Sequence, residues 1–427
     1  MKCFDWSSLS RAERTAALAR PLKRRDGAVR DVVRRIFEEV EHEGEAAVTR
    51  WSKNLDGRAP ERLDLTREVV DRARSKLDRE DLAAMDIAAE NVRRYHEATK
   101  PADQTVEPAP GVKLRRVWRP IETCGLYAPG GTAPLFSTLL MLAIPAAVAG
   151  VPNRVTVTPP NREGVAPVMI AAAALSGLEA FYLVGGAQAI AALTFGAGLP
   201  RADKIFGPGN AYVAEAKRFA ADLPNGPAID LPAGPSELMV IADATADPAL
   251  VAADLLSQAE HDADAQVVLA AMGEEVLAAV AVELERQTAV LPRGNIAQAS
   301  LAEGRVFLVR DWREAADAAS DYAPEHLSIQ VADPEPLVDA ISNAGTIFVG
   351  RWAAETFGDY VAGPSHVLPT DGAARTFSGV STAAFMKSFA IQEATQAGAR
   401  ALAPAAARLA RLEGLEAHAL AADLRAR

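Results

Sequence analysis

Four places in the chain set a histidine beside groups that could share a proton or a metal ion with it. In "LLSQAEHDADAQ" (255–266) Gln258 and His261 are three residues apart, so in a helix they share one face while Glu260 points elsewhere. In "YAPEHLSI" Glu325 and His326 are neighbours behind a proline. Adjacent residues of a strand point to opposite sides, so both reach one site only if the backbone there is loop-like. "FGDYVAGPSHVLP" offers Asp359 and His366 in a Gly/Pro-rich loop, where functional side chains are commonly mounted. "EGLEAH" puts Glu413 and His418 five apart on a helical tail, only loosely on one face. Imidazole with carboxylate can do acid–base chemistry near neutral pH, and the same groups with an amide oxygen suit a borderline divalent metal such as zinc. Spacing does not fix a metal site, because neither H-E-x-x-H nor C-x-x-C occurs. Gln is a rare zinc ligand, so on residue chemistry alone Glu260 and Asp262 compete with Gln258 as the partner of His261. Taken singly, each of these histidines is more often a structural or surface residue. His42 and His96, inside charged amphipathic helices, are read that way.

The elements that must position these groups follow from pattern. Residues 28–100 carry long stretches with apolar positions every three or four residues and read as mostly helix. From about Val112 the texture changes to short apolar runs, each followed by a Gly/Pro turn and an Ala-rich helical window. The strands expected are "CGLYAP", "RVTVTPP", "AFYLVGG", "DKIFGPG", "ELMVIAD", "AQVVLAAM", "RVFLV" and "GTIFVG". Such alternation implies parallel sheets covered by crossover helices. "NGPAIDLPAGPSE" (225–237), dense in Pro and Gly, reads as the crossing between two α/β domains. The tail from Ile391 reads as helical, with Pro404 fitting a helix start better than a helix middle. The fold expected is α/β: two Rossmann-like parallel-sheet domains, a helical N-terminal segment and a helical C-terminal tail.

Composition narrows the partners. The 427 residues are 49% hydrophobic, enough for large cores, and 45 basic against 56 acidic residues give a net charge of -11. No basic cluster is interleaved with aromatics, so nucleic acid is not expected as a partner. The longest apolar run, "LLMLAIPAAVAGV" from Leu139, falls short of the roughly 20 residues a membrane span needs and reads as a buried helix. The first 20 residues lack the apolar core of a signal peptide, so no membrane and a cytoplasmic location are expected. Cys3 and Cys124 are expected as free thiols.

Three loops could approach a phosphate: "GLYAPGGTAPLFST", "FYLVGGAQAIAAL" and "KIFGPGNAYVAEAKR". None is G-x-G-x-x-G, since Tyr212 stands where the third glycine after Gly207 and Gly209 belongs, so the dinucleotide fingerprint is absent. They read equally as ordinary tight strand-to-helix turns.

The segments "GLYAPGGTAPLFSTLLMLAIPA", "VGGAQAIAAL", "KIFGPGN", "DLPAGPSELMVIAD", "DLLSQAEHDADAQ", "YAPEHLSI", "GDYVAGPSHVLPT" and "EGLEAH" together, in this order and over nearly the whole chain, resemble the histidinol dehydrogenases. The resemblance implies oxidation of L-histidinol through its aldehyde to L-histidine with two NAD, one zinc ion per site, and a homodimer whose active sites are shared between subunits. It implies zinc ligands Gln258, His261, Asp359 and His418, which would settle the choice at His261 in favour of Gln258. Glu325 and His326 would be the acid/base pair. Ser236, His366 and Glu413 would lie near the substrate along with the zinc ligands and His326, and Tyr127, Gln188 and Asn210 near NAD. His418 and Glu413 would come from the neighbouring subunit. The division that goes with this reading is 1–25 as the N-terminal helical segment, 26–125 plus 235–378 as the zinc and substrate domain, 126–234 as the NAD domain, and 379–427 as an exchanged helical tail. Related enzymes that oxidise other alcohols, such as sulfonated diols, share the zinc and acid/base residues, and the tail with Glu413 is what would tell them apart. A non-catalytic nucleotide-binding module would leave the metal set unexplained.

Overall fold

The computed structural model describes residues 1–20, 27–130, 134–161, 164–231 and 234–427. The "GLYAPGGTAPLFST" and "NGPAIDLPAGPSE" loops, and the expected domain boundary at 25/26, therefore lie partly outside the described residues. The chain begins with β1 (Lys2–Asp5) and α1 (Arg11–Leu18), followed by α2 (Gly27–Glu43), α3 (Glu45–Leu55), β2 (Arg62–Asp64), α4 (Arg67–Arg74) and α5 (Arg79–Ala98). Next come β3 (Gln104–Ala109) and β4 (Val112–Pro120). Strand and helix then alternate through β5 (Thr123–Tyr127), α6 (Phe136–Ala149), β6 (Asn153–Thr158), α7 (Pro167–Leu175), β7 (Ala180–Leu183), α8 (Gly186–Phe195), β8 (Lys204–Phe206), α9 (Ala211–Asp222) and β9 (Ala228–Ile229). A second such series holds β10 (Glu237–Ala242), α10 (Pro248–Ala259), β11 (Gln266–Ala271), α11 (Glu274–Thr288), α12 (Gly294–Glu303), β12 (Arg305–Leu308), α13 (Trp312–Tyr322), β13 (His326–Gln330), α14 (Glu335–Ala340), β14 (Thr346–Val349) and α15 (Glu355–Tyr360). The chain closes with β15 (Met386–Ala394), α16 (Gln396–Leu412) and α17 (Glu416–Asp423).

Among the described residues the strands form two six-stranded sheets and one of three strands. The first six-stranded sheet runs β2-β7-β6-β5-β8-β9, all parallel except the edge strand β2. The second runs β1-β12-β11-β10-β13-β14 and is parallel throughout. Their central strands are continuous apolar runs buried along their whole length, as parallel strands covered by helices on both faces must be. Each sheet reverses its strand order beside its first central strand, between β5 and β8 in one and between β10 and β13 in the other.

The N-terminal half departs from expectation. Residues 1–25 were expected to be helical, but Lys2–Asp5 form an edge strand in register with Arg305–Leu308, a partner too remote in sequence to read from pattern. Residues 26–125, expected with 235–378, pack instead on the sheet built from 123–229. The stripe Val33, Ile36, Phe37 and Val40 on α2 is buried in one core with Val155, Ile190 and Val213. Met85, Ala88 and Val92 of α5 join Leu139–Ile144 of α6 in another. Full burial of side chains such as Ile36 and Phe37 contributes roughly 1.5–3 kcal/mol each, so this docking is strongly favoured. His96 at the end of α5 is buried, with Nδ1 3.2 Å from Thr382 Oγ1, and burial pushes it down to about 4. The run from Leu139 is the buried helix expected, α6. No helix among the described residues is long and apolar enough to cross a membrane.

The C-terminal segment 379–427 is not purely helical. Met386–Ala394, including Ile391, pairs antiparallel with β4 along its whole length, and β3 completes the small sheet. Helix begins only at Gln396, capped by Thr395, whose hydroxyl accepts from Gly398 N. Pro404 lies inside α16 rather than at a start. Its position is exposed, so water can satisfy the carbonyl that the missing N–H leaves free. From there α16 and α17 fold into a hairpin that packs on itself, on β15 and on the β3–β4 turn at Gly111. It leaves Leu409, Leu412 and Leu420 exposed at 62%, 70% and 53%.

Candidate active site

The second sheet brings its polar groups together at its amino edge. Glu237 and His326 are the first residues of β10 and β13, two strands that pair, with Leu238 opposite His326, across the point where the strand order reverses. Ligands of open α/β sheets usually sit at the carboxyl edge. Here the buried titratable cluster is at the opposite end. The turn into β13 makes this possible: Ala323 caps α13 at φ +52°, and Pro324 follows, so Glu325 leaves the strand's alternation and its carboxylate lies 3.8 Å from the adjacent His326 ring. The loop-like backbone that the pair requires is present. Glu325 Oε2 accepts the Glu237 N–H at 2.8 Å.

His326 is held through Nδ1. Nδ1 lies 3.1 Å from the Glu237 carbonyl oxygen and 3.2 Å from Glu355 Oε1. A carbonyl can only accept, so Nδ1 carries the proton. Nε2 is 3.5 Å from Asp359 Oδ1 and has no hydrogen-bond partner. Burial opposes charge on this ring, but Glu355, Glu325 and Asp359 surround it and raise its pKa. Burial likewise raises Glu325 and Glu355, against the pull of His326. Asp359 goes the other way: burial would raise it, but His326, His366 and His261 hold it below the usual carboxylate range.

Gln258 lies one residue from Ser257, whose hydroxyl donates to Glu355 Oε2 at 3.3 Å, so α10 and α15 meet at this cluster. The Gln258 side chain is buried with Oε1 unpartnered. His261 does not share a helical face with it as the spacing suggested, because α10 ends at Ala259 with Glu260 as its cap. The His261 N–H bonds back to the Gln258 carbonyl at 3.2 Å, so the turn keeps the two residues together by a different route. His366 is engaged at both nitrogens: Nδ1 donates to the Asp359 carbonyl at 3.0 Å, and Nε2 lies 2.8 Å from Thr138 Oγ1. Ser236 immediately precedes β10, and its carbonyl accepts from Gln266 N at 2.9 Å. Glu413 caps α16 and His418 lies on α17, both on the hairpin and away from these residues' contacts. Among the described residues of one chain no three His, Cys, Asp or Glu side chains gather as a metal site. The unpartnered Gln258 oxygen and the influence of His261 on the Asp359 carboxylate are compatible with a metal ion, amide, imidazole and carboxylate being donors that suit zinc.

The first sheet presents its carboxyl edge, where nucleotides bind in such folds. Tyr127 ends β5, and its hydroxyl accepts from Gly186 N at 3.2 Å. Gln188, in the first turn of α8, is buried; Nε2 donates to Asp56 Oδ2 at 3.0 Å while Oε1 has no partner. Asn210 caps α9, its Oδ1 accepting from Tyr212 N and Val213 N, both at 3.1 Å. The glycines have packing reasons of their own. Gly207 sits at φ +118°, and a Cβ there would fall 2.1 Å from the Tyr127 carbonyl oxygen. The loop is clamped by the buried pair Lys217–Asp230: Lys217 donates to the Gly207 carbonyl and Asp230 accepts its N–H. Thr138 of α6, just after this edge, is the residue that touches His366, so the two edges adjoin.

Glu355, Glu237, Asp56 and Thr138 did not emerge from sequence reasoning. The signal available for Glu355 was its four-residue spacing from Asp359 in "ETFGDY".

A family model described as histidinol dehydrogenase matches residues 19–426. A histidinol dehydrogenase of Idiomarina loihiensis is 44% identical over 423 residues, 99% of this chain and 96% of its own length. One of Legionella pneumophila is 44% identical over 424 residues, 99% of this chain and 97% of its own length. The crystal structure of histidinol dehydrogenase from Elizabethkingia anophelis superposes with a TM-score of 0.95 at 39% identity, covering 100% of this chain and 98% of that one.

Proposed function

Because the chain belongs to the histidinol dehydrogenase family, we propose that it oxidises L-histidinol through the aldehyde to L-histidine with two NAD, at a zinc site completed by a second subunit. The observation that carries this reading is the cluster at the amino edge of the second sheet, with His326 Nε2 free and Glu325 beside it. In the first oxidation the substrate hydroxyl gives its proton to His326 Nε2 as hydride leaves the carbinol carbon for NAD. In the second, water adds to the aldehyde and the hydrate loses a further hydride, and Glu325 takes the proton from that water. Three carboxylates around His326 favour its protonated form, so the neutral base is populated on the alkaline side of neutrality.

Gln258, His261 and Asp359, with His418 of the partner subunit, would hold the zinc. Bound there, it would supply a fixed positive charge that orients the substrate's imidazole and amine and offsets Asp359 beside His326. Tyr127 and Asn210 are assigned to NAD by their place at the strand-order reversal of the first sheet, and Gln188 by its place in the first turn of α8, whose Gly186 N–H donates to the Tyr127 hydroxyl. Ser236, His366 and the partner subunit's Glu413 are assigned to the substrate. His366, with both nitrogens engaged, acts there by fixing the Asp359 segment. The sharing between subunits is supported by the hairpin that carries Glu413 and His418, which exposes a leucine-rich face suited to burial against a second copy.

Mixing His326→Asn and His418→Asn chains after reversible dissociation tests the arrangement. In a mixed two-fold dimer one site combines an intact His326 with an intact His418, and its mate carries both lesions. Random pairing makes about half the dimers mixed, so activity should recover to roughly a quarter of wild type. No recovery, with subunit exchange verified separately, would place His418 in its own chain's site.

A further inference from the structure

The ring of His326 lies between two carboxylates of one short helix. Glu355 and Asp359 are four residues apart on α15, so they project from the same face, one toward each ring nitrogen. Glu355 Oε1 is 3.2 Å from Nδ1, and Asp359 Oδ1 is 3.5 Å from Nε2. Glu355 is 2% exposed, and its other oxygen accepts from Ser257 at 3.3 Å, which fixes the carboxylate against α10.

We propose that Glu355 is a positioning residue for the oxidation: its carboxylate holds the His326 ring with Nε2 toward the substrate and balances the positive charge that appears on the ring when Nε2 takes a proton. The inference rests on the reading of His326 as the base. The Glu237 carbonyl at Nδ1 already specifies which nitrogen is protonated, because it can only accept. What it cannot supply is a full negative charge. A buried carboxylate on the far nitrogen of a catalytic histidine does supply one, and in a site that excludes water its effect on the protonated ring is large. Asp359 cannot take this part, since it faces the nitrogen that must stay open and is assigned to the metal. Glu355 is buried on the Nδ1 side of the ring, behind the nitrogen assigned to the substrate proton, so its effect must pass through His326.

The test compares Glu355→Gln, Glu355→Asp, His326→Asn and the double variant Glu355→Gln/His326→Asn as zinc-loaded dimers. Glu355→Gln keeps size and an acceptor oxygen but loses the charge. Its kcat should fall about a hundred- to a thousandfold, with KM for L-histidinol and for NAD within about threefold and bound zinc unchanged. Glu355→Asp, retaining the charge on a shorter arm, should recover about tenfold or more over Gln. The double variant should be no slower than His326→Asn alone, because residues acting as one unit are not additive. A Glu355→Gln enzyme within about fivefold of wild type, or a double variant slowed by the product of the single effects, would overturn the proposal. If Glu355→Gln does not fold, Glu355→Asp paired with His326→Asn carries the same comparison. Wild-type kcat in His326→Asn alone would instead remove the base assignment and the proposal with it, a failure visible without any Glu355 variant.

Discussion

His326→Asn enzyme is expected to turn over L-histidinol about a hundred- to ten-thousandfold more slowly than wild type, while Glu325→Gln enzyme fails chiefly on the aldehyde. The two residues are adjacent, but their surroundings differ. His326 has one free nitrogen in a ring whose other nitrogen is tied to Glu237 and Glu355, which suits it to accept a hydroxyl proton from bound alcohol. Glu325 receives a backbone N–H from Glu237, and burial raises its pKa toward the range where a carboxylate can both take and return a proton. Only the second oxidation needs a proton removed from water. Supplying histidinaldehyde directly separates the steps: His326→Asn should be relieved in part, and Glu325→Gln should not. Identical impairment of both variants on alcohol and aldehyde would contradict this division of labour.

Loss of the metal is the second large effect. His261→Asn should leave the purified protein without bound zinc and without turnover, while its thermal unfolding stays close to wild type. The side chain of His261 is exposed in the turn after α10, and the contacts that fix the turn are made by its backbone, from its N–H to Gln258 and from Arg293 to its carbonyl. A substitution of that kind usually changes stability by no more than about 0.5 kcal/mol. Removing a direct ligand should weaken metal binding by more than the roughly 10- to 100-fold typical of outer-shell changes. One zinc per chain in the variant, with normal activity, would remove His261 from the donor set.

The parts of this molecule that could be read from sequence share a physical property. Strands β5 to β8 and β10 to β12 are mostly buried apolar runs bounded by Gly/Pro turns, so pattern located them, and the apolar run of β14 located that strand although it lies half-exposed at a sheet edge. Edge strands β1, β2 and β15 are short or exposed and owe their conformation to partners far along the chain, such as Arg305–Leu308 for β1. The amphipathic stripe of α2 showed that one face is buried but not against which sheet. At the site, Glu325, His326 and Asp359 stood out as residue types in loops. Glu355 did not, because a glutamate in "ETFGDY" reads as surface until α15 is seen to fold onto the start of β13. Glu237 was hidden for the same reason, as the first residue of an apolar strand, its backbone N–H bonded to Glu325 and its carbonyl to His326. Gln258 and His261 were paired by the assumption of a continuous helix, whereas a helix end and a backbone hydrogen bond hold them together.

The stoichiometry of the reaction tests the central claim most directly. L-Histidinol and excess NAD are incubated with the purified enzyme, NADH is followed to completion, and the product is identified, with a parallel sample stripped by chelator and then reloaded with zinc. Two NADH per L-histidinol consumed are expected, with L-histidine as the product and no free aldehyde accumulating. Turnover should be lost with the metal and regained with zinc. A single NADH per alcohol with aldehyde released, or undiminished turnover by enzyme shown to hold no zinc, would contradict the account.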